Sequence, residues 1–408
     1  MVRRGVSLLE VMFAIGVIAV GLLGVIAVLP LALSQVGRGD IADRSKRTGE
    51  NAVAAFDMLA MRNPNTWRYA AGGTVGHPSI NPVGGAISSN RAFCIDPRFV
   101  AANGAGSNTT YDATMFPYFT RPPLVTPPPP RMTRVSLARN PSNASSLRML
   151  TEQADLIFVA DDELSFELPK DKTKPPEQEF GAKLPANYIK RMSEGTMSWM
   201  ATVSPKVDVD GQFKDAYTLS IVIFNRRDVS TVGRNQTMFE DANANGVVDA
   251  GDTPTYNERL AWIIGDSTDT DASRQFHGDG YGGGEVTIEA LSSQSLELRS
   301  GDWVMLMLNL TSSTPYTPLF RWYRVVETES PYWDGTQFLE GRPIDRTISG
   351  NANRPGNYER HVTLIGADWP WLNSADKIGT LPVTYATLVT GVVAVYEKTI
   401  RLETSSLW

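Results

Sequence analysis

Residues 11–33 carry no charged side chain. At ~1.5 Å rise per residue, such a run is long enough for a helix to cross the ~30 Å hydrocarbon layer of a bilayer. It exceeds the ~7–15-residue core of a cleavable secretory signal, and no small-residue cleavage site follows it. Arg3 and Arg4 precede the run. The positive-inside rule then predicts a cytoplasmic N-terminus, with the rest of the chain on the export side. One residue stands out of place. Glu10 sits at the mouth of the apolar run, where a carboxylate is costly unless another charge pairs with it.

Composition narrows the class. The chain has 408 residues and a formal net charge of −6. A mild acidic balance lacks the basic stripe of a nucleic-acid binder, so no nucleic-acid partner is expected. Cys94 is the single cysteine, which excludes an internal disulfide. His77, His277 and His361 lie far apart, without metal-site spacing.

The opening MVRRG-VSLLEV resembles the class III leader of type IV prepilins and type II secretion pseudopilins. The shared pattern is a short basic leader ending in glycine, then an apolar segment with glutamate at its fifth position. Here the leader is 1–5, the new N-terminus is Val6, and Glu10 becomes mature position five. SLLEVMFAIGVIAVGLLG is most similar to minor pilins of the PilV type and related minor pseudopilins. The resemblance implies cleavage after Gly5 by prepilin peptidase and methylation of the Val6 amine. It also implies assembly with other pilins or pseudopilins, in which Glu10 meets the Val6 amine of a neighbour. Such a pair neutralises both charges in a nearly dry core and selects one axial register. Val6 replaces the family's usual phenylalanine, and Pro30 lies three residues beyond the usual proline. Loss of Arg3 and Arg4 moves the formal charge from −6 to −8.

After Leu33 the chain reads as an amphipathic continuation to residue 63. Ile41, Val53, Phe56, Leu59 and Met61 point toward a packed domain, and Asn63-Pro64 is the stop. Residues 64–150 are rich in Gly, Pro and Asn, and PPLVTPPPPR (122–131) favours polyproline II, so an irregular excursion is expected there. From 151 the period changes to two. Strands are expected at 154–160, 163–168, 196–204, 217–224, 285–291, 303–310, 320–329 and 392–403. In 285–291, Val286, Ile288 and Ala290 alternate inward, with Glu285, Thr287 and Glu289 outward. WVMLMLNL (303–310) is apolar on both faces. The expected fold class is α+β: a long N-terminal transmembrane and amphipathic helix (6–63, spanning at 11–33), the pilin stem, followed by a large antiparallel β-rich extracytoplasmic domain (151–408).

EDANANGVVDAGD holds a candidate calcium loop. Asp241, Asn243, Asn245, Val247, Asp249 and Asp252 fall at positions 1, 3, 5, 7, 9 and 12, with Gly246 at the turn. Alternate oxygens at this spacing converge on one cation, and the Val247 carbonyl adds another. Asp252 stands where the motif usually has Glu, and its shorter arm lowers the affinity expected for Ca2+. The flanks do not read as helices. VDVDGQFKD (207–215) reads as a hairpin turn.

No catalytic constellation is present: no G-x-S-x-G, no H-E-x-x-H, no P-loop. HGDGYGGGE (277–285) reads as a flexible loop, and the tryptophans as packing residues ahead of sugar platforms. The expected function is a non-enzymatic minor pilin or pseudopilin, a structural filament subunit. It would be single-pass in the inner membrane, with its bulk periplasmic or extracellular. The alternative is a signal-anchored extracytoplasmic binding or adhesion protein with a calcium-stabilised loop.

Overall fold

In the computed structural model the described residues are 8–75, 92–107, 112–118, 129–139, 147–160, 164–166, 191–193, 196–207, 213–229, 239–240, 253–254, 257–264, 283–309, 318–347, 354, 356–367, 369 and 384–403. The chain forms two compact units, Met1–Arg47 and Thr48–Trp408. A single helix, α1 (Leu8–Met58), supplies the first unit and opens the second.

The transmembrane stem and the single-pass inner-membrane placement expected above are overturned. Among the described residues, no helix is long and apolar enough to cross a membrane. From Arg38 on, α1 is dotted with charges such as Asp40 and Arg44, which pair at 3.0 Å one turn apart. The fold is β-rich around a closed barrel, which the expected α+β class did not include.

In the second unit, the end of α1 packs through Ala52 and Phe56, both buried. Gly49 admits the Tyr396 ring, which a Cβ would meet at 2.2 Å. The helix stops before Ala60, whose φ is +51°. Asn63 then caps a short turn at Pro64–Thr66, accepting from the Asn65 amide at 3.0 Å.

The strands that follow build an open seven-stranded sheet. Its members are β1 (Trp67–Tyr69), β2 (Phe93–Ile95), β3 (Met115–Phe116), β4 (Met132–Leu137), β5 (Met197–Val207), β6 (Phe213–Asn225) and β13 (Val392–Ile400). The order is β1-β4-β2-β5-β6-β13, with β3 also on β4. Every pairing is antiparallel except β2 with β4. α2 (Pro97–Asn103) follows β2, opened by Asp96 at its N-cap and Pro97 at its first position. Residues 64–150, expected to be irregular, thus contribute four strands and a helix. Residues 154–158, expected in a strand, instead lie in α3 (Thr151–Phe158). There Ala154 and Phe158 are buried and Phe158 packs on Trp199, with ring centroids 4.3 Å apart.

Six further strands close on themselves. They are β7 (Glu258–Ile264), β8 (Gly283–Ala290), β9 (Trp303–Asn309), β10 (Pro318–Thr328), β11 (Tyr358–Ile365) and β12 (Tyr385–Val389). The ring runs β8-β7-β12-β9-β10-β11 and returns to β8 through eight paired residues, Gly283↔Ile365 to Ala290↔Tyr358. All six pairings are antiparallel. A barrel this small has room only for side chains, and closure removes its sheet edges. Val286, Ile288, Val304, Leu306, Leu308 and Leu388 fill it, and Trp369 is fully buried with them. Gly283 (φ +134°) is required where β8 meets β11, because a Cβ there would sit 2.1 Å from the Leu364 carbonyl oxygen. The glycine-rich stretch read as a loop therefore ends inside a strand.

The outer face of the barrel packs on the open sheet. Met305, Met307, Phe320, Trp322 and Tyr385 meet Cys94, Phe116, Met132, Met200, Val222 and Phe224 in a second core. Trp322 Nε1 donates across this junction to Thr202 Oγ1 at 3.3 Å. Alternation along 285–291 places Val286, Ile288 and Ala290 in the lumen. Thr287 and Glu289 on the other face are nonetheless buried, and Glu289 pairs with Arg354.

Candidate functional site

The first unit carries the most exposed apolar surface in the described chain. Leu8, Leu9, Met12, Phe13, Val17 and Val20 are between 67% and 81% exposed. Ile15, Ile18, Leu22 and Leu23 exceed 60%. With successive residues 100° apart on a helix, these positions cover every side of α1, not one stripe. Gly16 and Gly21 interrupt them, and a Cβ at either would meet nothing within 4 Å. Glu10 belongs to this stretch of α1. Gly5 and Val6 lie outside the described residues.

The six candidate calcium ligands, Asp241, Asn243, Asn245, Val247, Asp249 and Asp252, also lie outside the described residues. Strands 239–240 and 253–254 flank the loop and pair antiparallel, Glu240 with Thr253. Among the described residues, no group of three or more His, Cys, Asp or Glu is placed to hold a metal ion. Likewise, 208–212 is outside them, although β5 and β6 on its two sides pair as a hairpin.

A constellation that the sequence did not flag is buried between sheet and barrel. Arg134 on β4 is fully buried, with Asp96, Glu258 and Arg227 each no more than 4% exposed at the side chain. Arg134 donates to both oxygens of Glu258, at 2.7 and 2.5 Å, and also to Asp96. Arg227 grips Asp96 from the other side, its Nη1 donating at 2.8 Å. The Phe99 amide caps Asp96 at 3.4 Å, and the Tyr118 amide donates to Glu258 at 2.9 Å. The guanidinium carbon of Arg134 lies 3.8 Å from the Phe99 ring centroid, and that of Arg227 lies 4.3 Å from Phe224.

Two cations and two anions cancel, and each is held by several groups. Burial opposes the charge on Asp96, but Arg227 and Arg134 outweigh it and its pKa is lowered. At Glu258 burial prevails over the same two arginines, and its pKa is raised. Burial also works against Arg134, yet Glu258 and then Asp96 raise its pKa. Buried and balanced in charge, this cluster ties β4, the N-cap of α2 and the start of β7 together. The sequence signal for it was partial. Asp96-Pro97 is a helix-start signature, and Arg134 interrupts an apolar strand, but nothing local links either to Arg227 or Glu258.

Cys94 is free and buried, and burial pushes its thiol pKa up, so it lacks the character of a nucleophile. Trp369 is closed inside the barrel, donating to Thr384 Oγ1 at 3.3 Å, and cannot stack on a sugar. The chain matches no family model, no curated protein and no solved structure.

Proposed function

We propose that this protein is a structural subunit of a filament of the type IV pilus or type II secretion kind, a minor pilin or pseudopilin. It is trimmed after Gly5 by a prepilin peptidase and assembles through α1 with the helices of other pilins or pseudopilins. The observation that carries this reading is the all-round apolar surface of residues 8–23. A helix apolar on every side is stable only when surrounded, and a bundle of like helices surrounds it completely. Burying each of the larger side chains contributes about 1.5–3 kcal/mol, so a handful suffices to drive assembly. Gly16 and Gly21 leave open helix surface where a neighbouring backbone approaches closely.

Glu10 has a part in the same assembly. Cleavage after Gly5 exposes an ammonium at Val6, four residues from Glu10. In the assembly an axially shifted neighbour brings its Val6 amine to this carboxylate. The pair then disfavours every register that leaves either charge buried alone.

Mass spectrometry of the mature chain from cells with a working prepilin peptidase tests this. The expected product begins at Val6, with the methyl group on its amine. Retention of residues 1–5 overturns the assignment. Glu10→Ala tests the register argument on its own: processing continues, and incorporation into filaments falls at least tenfold.

A further inference from the structure

We infer that the hairpin between β10 and β11 is a binding platform for a flat oligosaccharide, a β-linked pyranose chain with equatorial hydroxyls. Neither the filament reading nor the sequence motifs assign anything to this hairpin. It is formed by Tyr332–Trp333 and Phe338–Leu339, paired antiparallel as Tyr332↔Leu339 and Trp333↔Phe338.

Tryptophans are expected as packing residues, and Trp67, Trp199, Trp262, Trp322 and Trp369 are at most 5% exposed. Trp333 departs from them. It is 51% exposed, and its cross-strand partner Phe338 is 72% exposed. Tyr332 beside them is 41% exposed. The ring centroids of Trp333 and Phe338 lie 4.8 Å apart, with planes at 52°. The rings support each other and form one aromatic surface open to solvent.

That surface is fixed at both ends. At the tip, Asp334 Oδ1 accepts from the Thr336 amide at 2.7 Å, the Gln337 amide at 2.8 Å and the Thr336 hydroxyl at 2.8 Å. Gly335, at φ +104°, takes the left-handed conformation that glycine adopts at least cost. At the root, Leu339 is buried in the core of the barrel, and Glu340 accepts from Arg360 at 2.8 Å. Rings placed in advance lose little conformational freedom when a ligand arrives.

Size, charge and chemistry select the occupant. A whole aromatic side chain offers ~150–250 Å², so the exposed fractions amount to about 300 Å². A standard protein interface needs ~800 Å² per partner, and the hairpin suits a ligand of a few rings instead. Asp334 stands at the tip, directly between the two aromatic strands. Seating the rings in a bilayer would drag this carboxylate toward hydrocarbon, which is costly. Beside the rings, Asp334, Thr336 and Gln337 supply a carboxylate, a hydroxyl and an amide. A pyranose with equatorial hydroxyls is divided in the same way, with C–H groups on its faces and hydroxyls round its rim. Its positively polarised C–H face lies on the negative face of a ring. Its rim hydroxyls reach Asp334 Oδ2 and the Gln337 amide. A platform open on one side buries only part of such a ligand, so the affinity is modest.

The test is calorimetric titration of the full chain, in a detergent without a sugar head group, with cellohexaose and separately with chitohexaose. We expect at least one to bind with Kd below about 1 mM. Binding of one alone shows whether the acetamido group is required or excluded, and either result supports the platform. Trp333→Ala should weaken binding at least tenfold and Phe338→Ala at least threefold, each with Tm within a few degrees of wild type. If Trp333→Ala melts much lower, Trp333→Leu carries the test, because it keeps apolar bulk without a ring. Absence of binding by both probes, or equal binding by wild type and variants, overturns the inference. Binding to phosphatidylcholine vesicles, or dimerisation, that falls with Trp333→Ala while neither oligosaccharide binds overturns it as well, in favour of a membrane or a second copy of the chain.

Discussion

The barrel and the open sheet use the same kind of strand and solve opposite problems. The barrel is drawn from one continuous stretch, 258–389, and closes on itself. Its lumen is packed mainly with apolar side chains, and its strands need no outside partner to satisfy their edges. The sheet is gathered from three distant stretches, 67–137, 197–225 and 392–400, and includes a parallel pair. Its junction with the barrel carries a buried four-charge cluster beside apolar packing. An element that closes locally is specified by pattern alone; one assembled from remote segments gains from charged contacts that penalise every wrong arrangement.

That contrast is open to measurement. The largest effect is expected at the sheet. Arg134→Met leaves Asp96 and Glu258 buried with one arginine between them, and should cost about 3–5 kcal/mol in equilibrium unfolding. A loss below 1 kcal/mol would show that the cluster does not hold the junction. Next come two neighbours on β9. Leu306 points into the lumen and Met305 toward the sheet. Both Ala variants should lie within about 2–5 kcal/mol, Leu306→Ala toward the top because a closed lumen cannot collapse around a cavity. Met305→Ala should fall toward the bottom, since its methionine-rich surroundings adapt. The reverse order would break the distinction between a rigid barrel and a more adaptable seam.

A smaller effect is expected in pH dependence. Asp96 has a folded pKa below its ordinary 3.8. The stability it contributes is therefore present above that value and is lost as pH falls through the folded one. Glu258 works in the opposite sense, its raised pKa making its charged form a liability as pH rises past its ordinary 4.5. Asp96→Asn should make the acid limb of the stability curve shallower, as read by urea unfolding from pH 5 downward. The smallest effect belongs to Lys398, whose exposed contact with Asp57 spans 3.2 Å. Lys398→Ala should change stability by less than about 1 kcal/mol, and a larger change would give the last strand of the sheet a charge dependence it is not expected to have.

Much of the β architecture was legible because strand period survives in the residues. The strands 197–207, 213–225, 283–290, 303–309, 318–328 and 392–400 each overlap an alternating or two-faced run. The strand 303–309 gives Leu306 to one core and Met305 to another, which is what its two apolar faces require. Hidden strands are of two kinds. The short β1, β2 and β3, of two or three residues each, offer too little length for a period to show. Those at 132–137, 258–264, 358–365 and 385–389 carry Arg134, Arg259, Arg360 and Thr387, all buried, so their polar residues imitate an exposed face. The five residues of ADLIF fit either period, and the capping Gln153, which accepts from the Leu150 amide at 3.3 Å, favours the helix. The apolar run at 11–33 predicts a membrane span, yet among the described residues no helix is long and apolar enough to cross a membrane, while the segment is helical in α1.

The residues by themselves determined that this chain begins in a long helix with an apolar first half, that one acid sits within it, and that a β-rich body follows without disulfides. Only the tertiary structure decided that six strands close into a barrel, and that Arg134, Asp96, Arg227 and Glu258 meet. Period and charge are local properties of a sequence. Ring closure and the meeting of residues more than a hundred positions apart depend on which strand edge each segment finds, and no short stretch of residues encodes that.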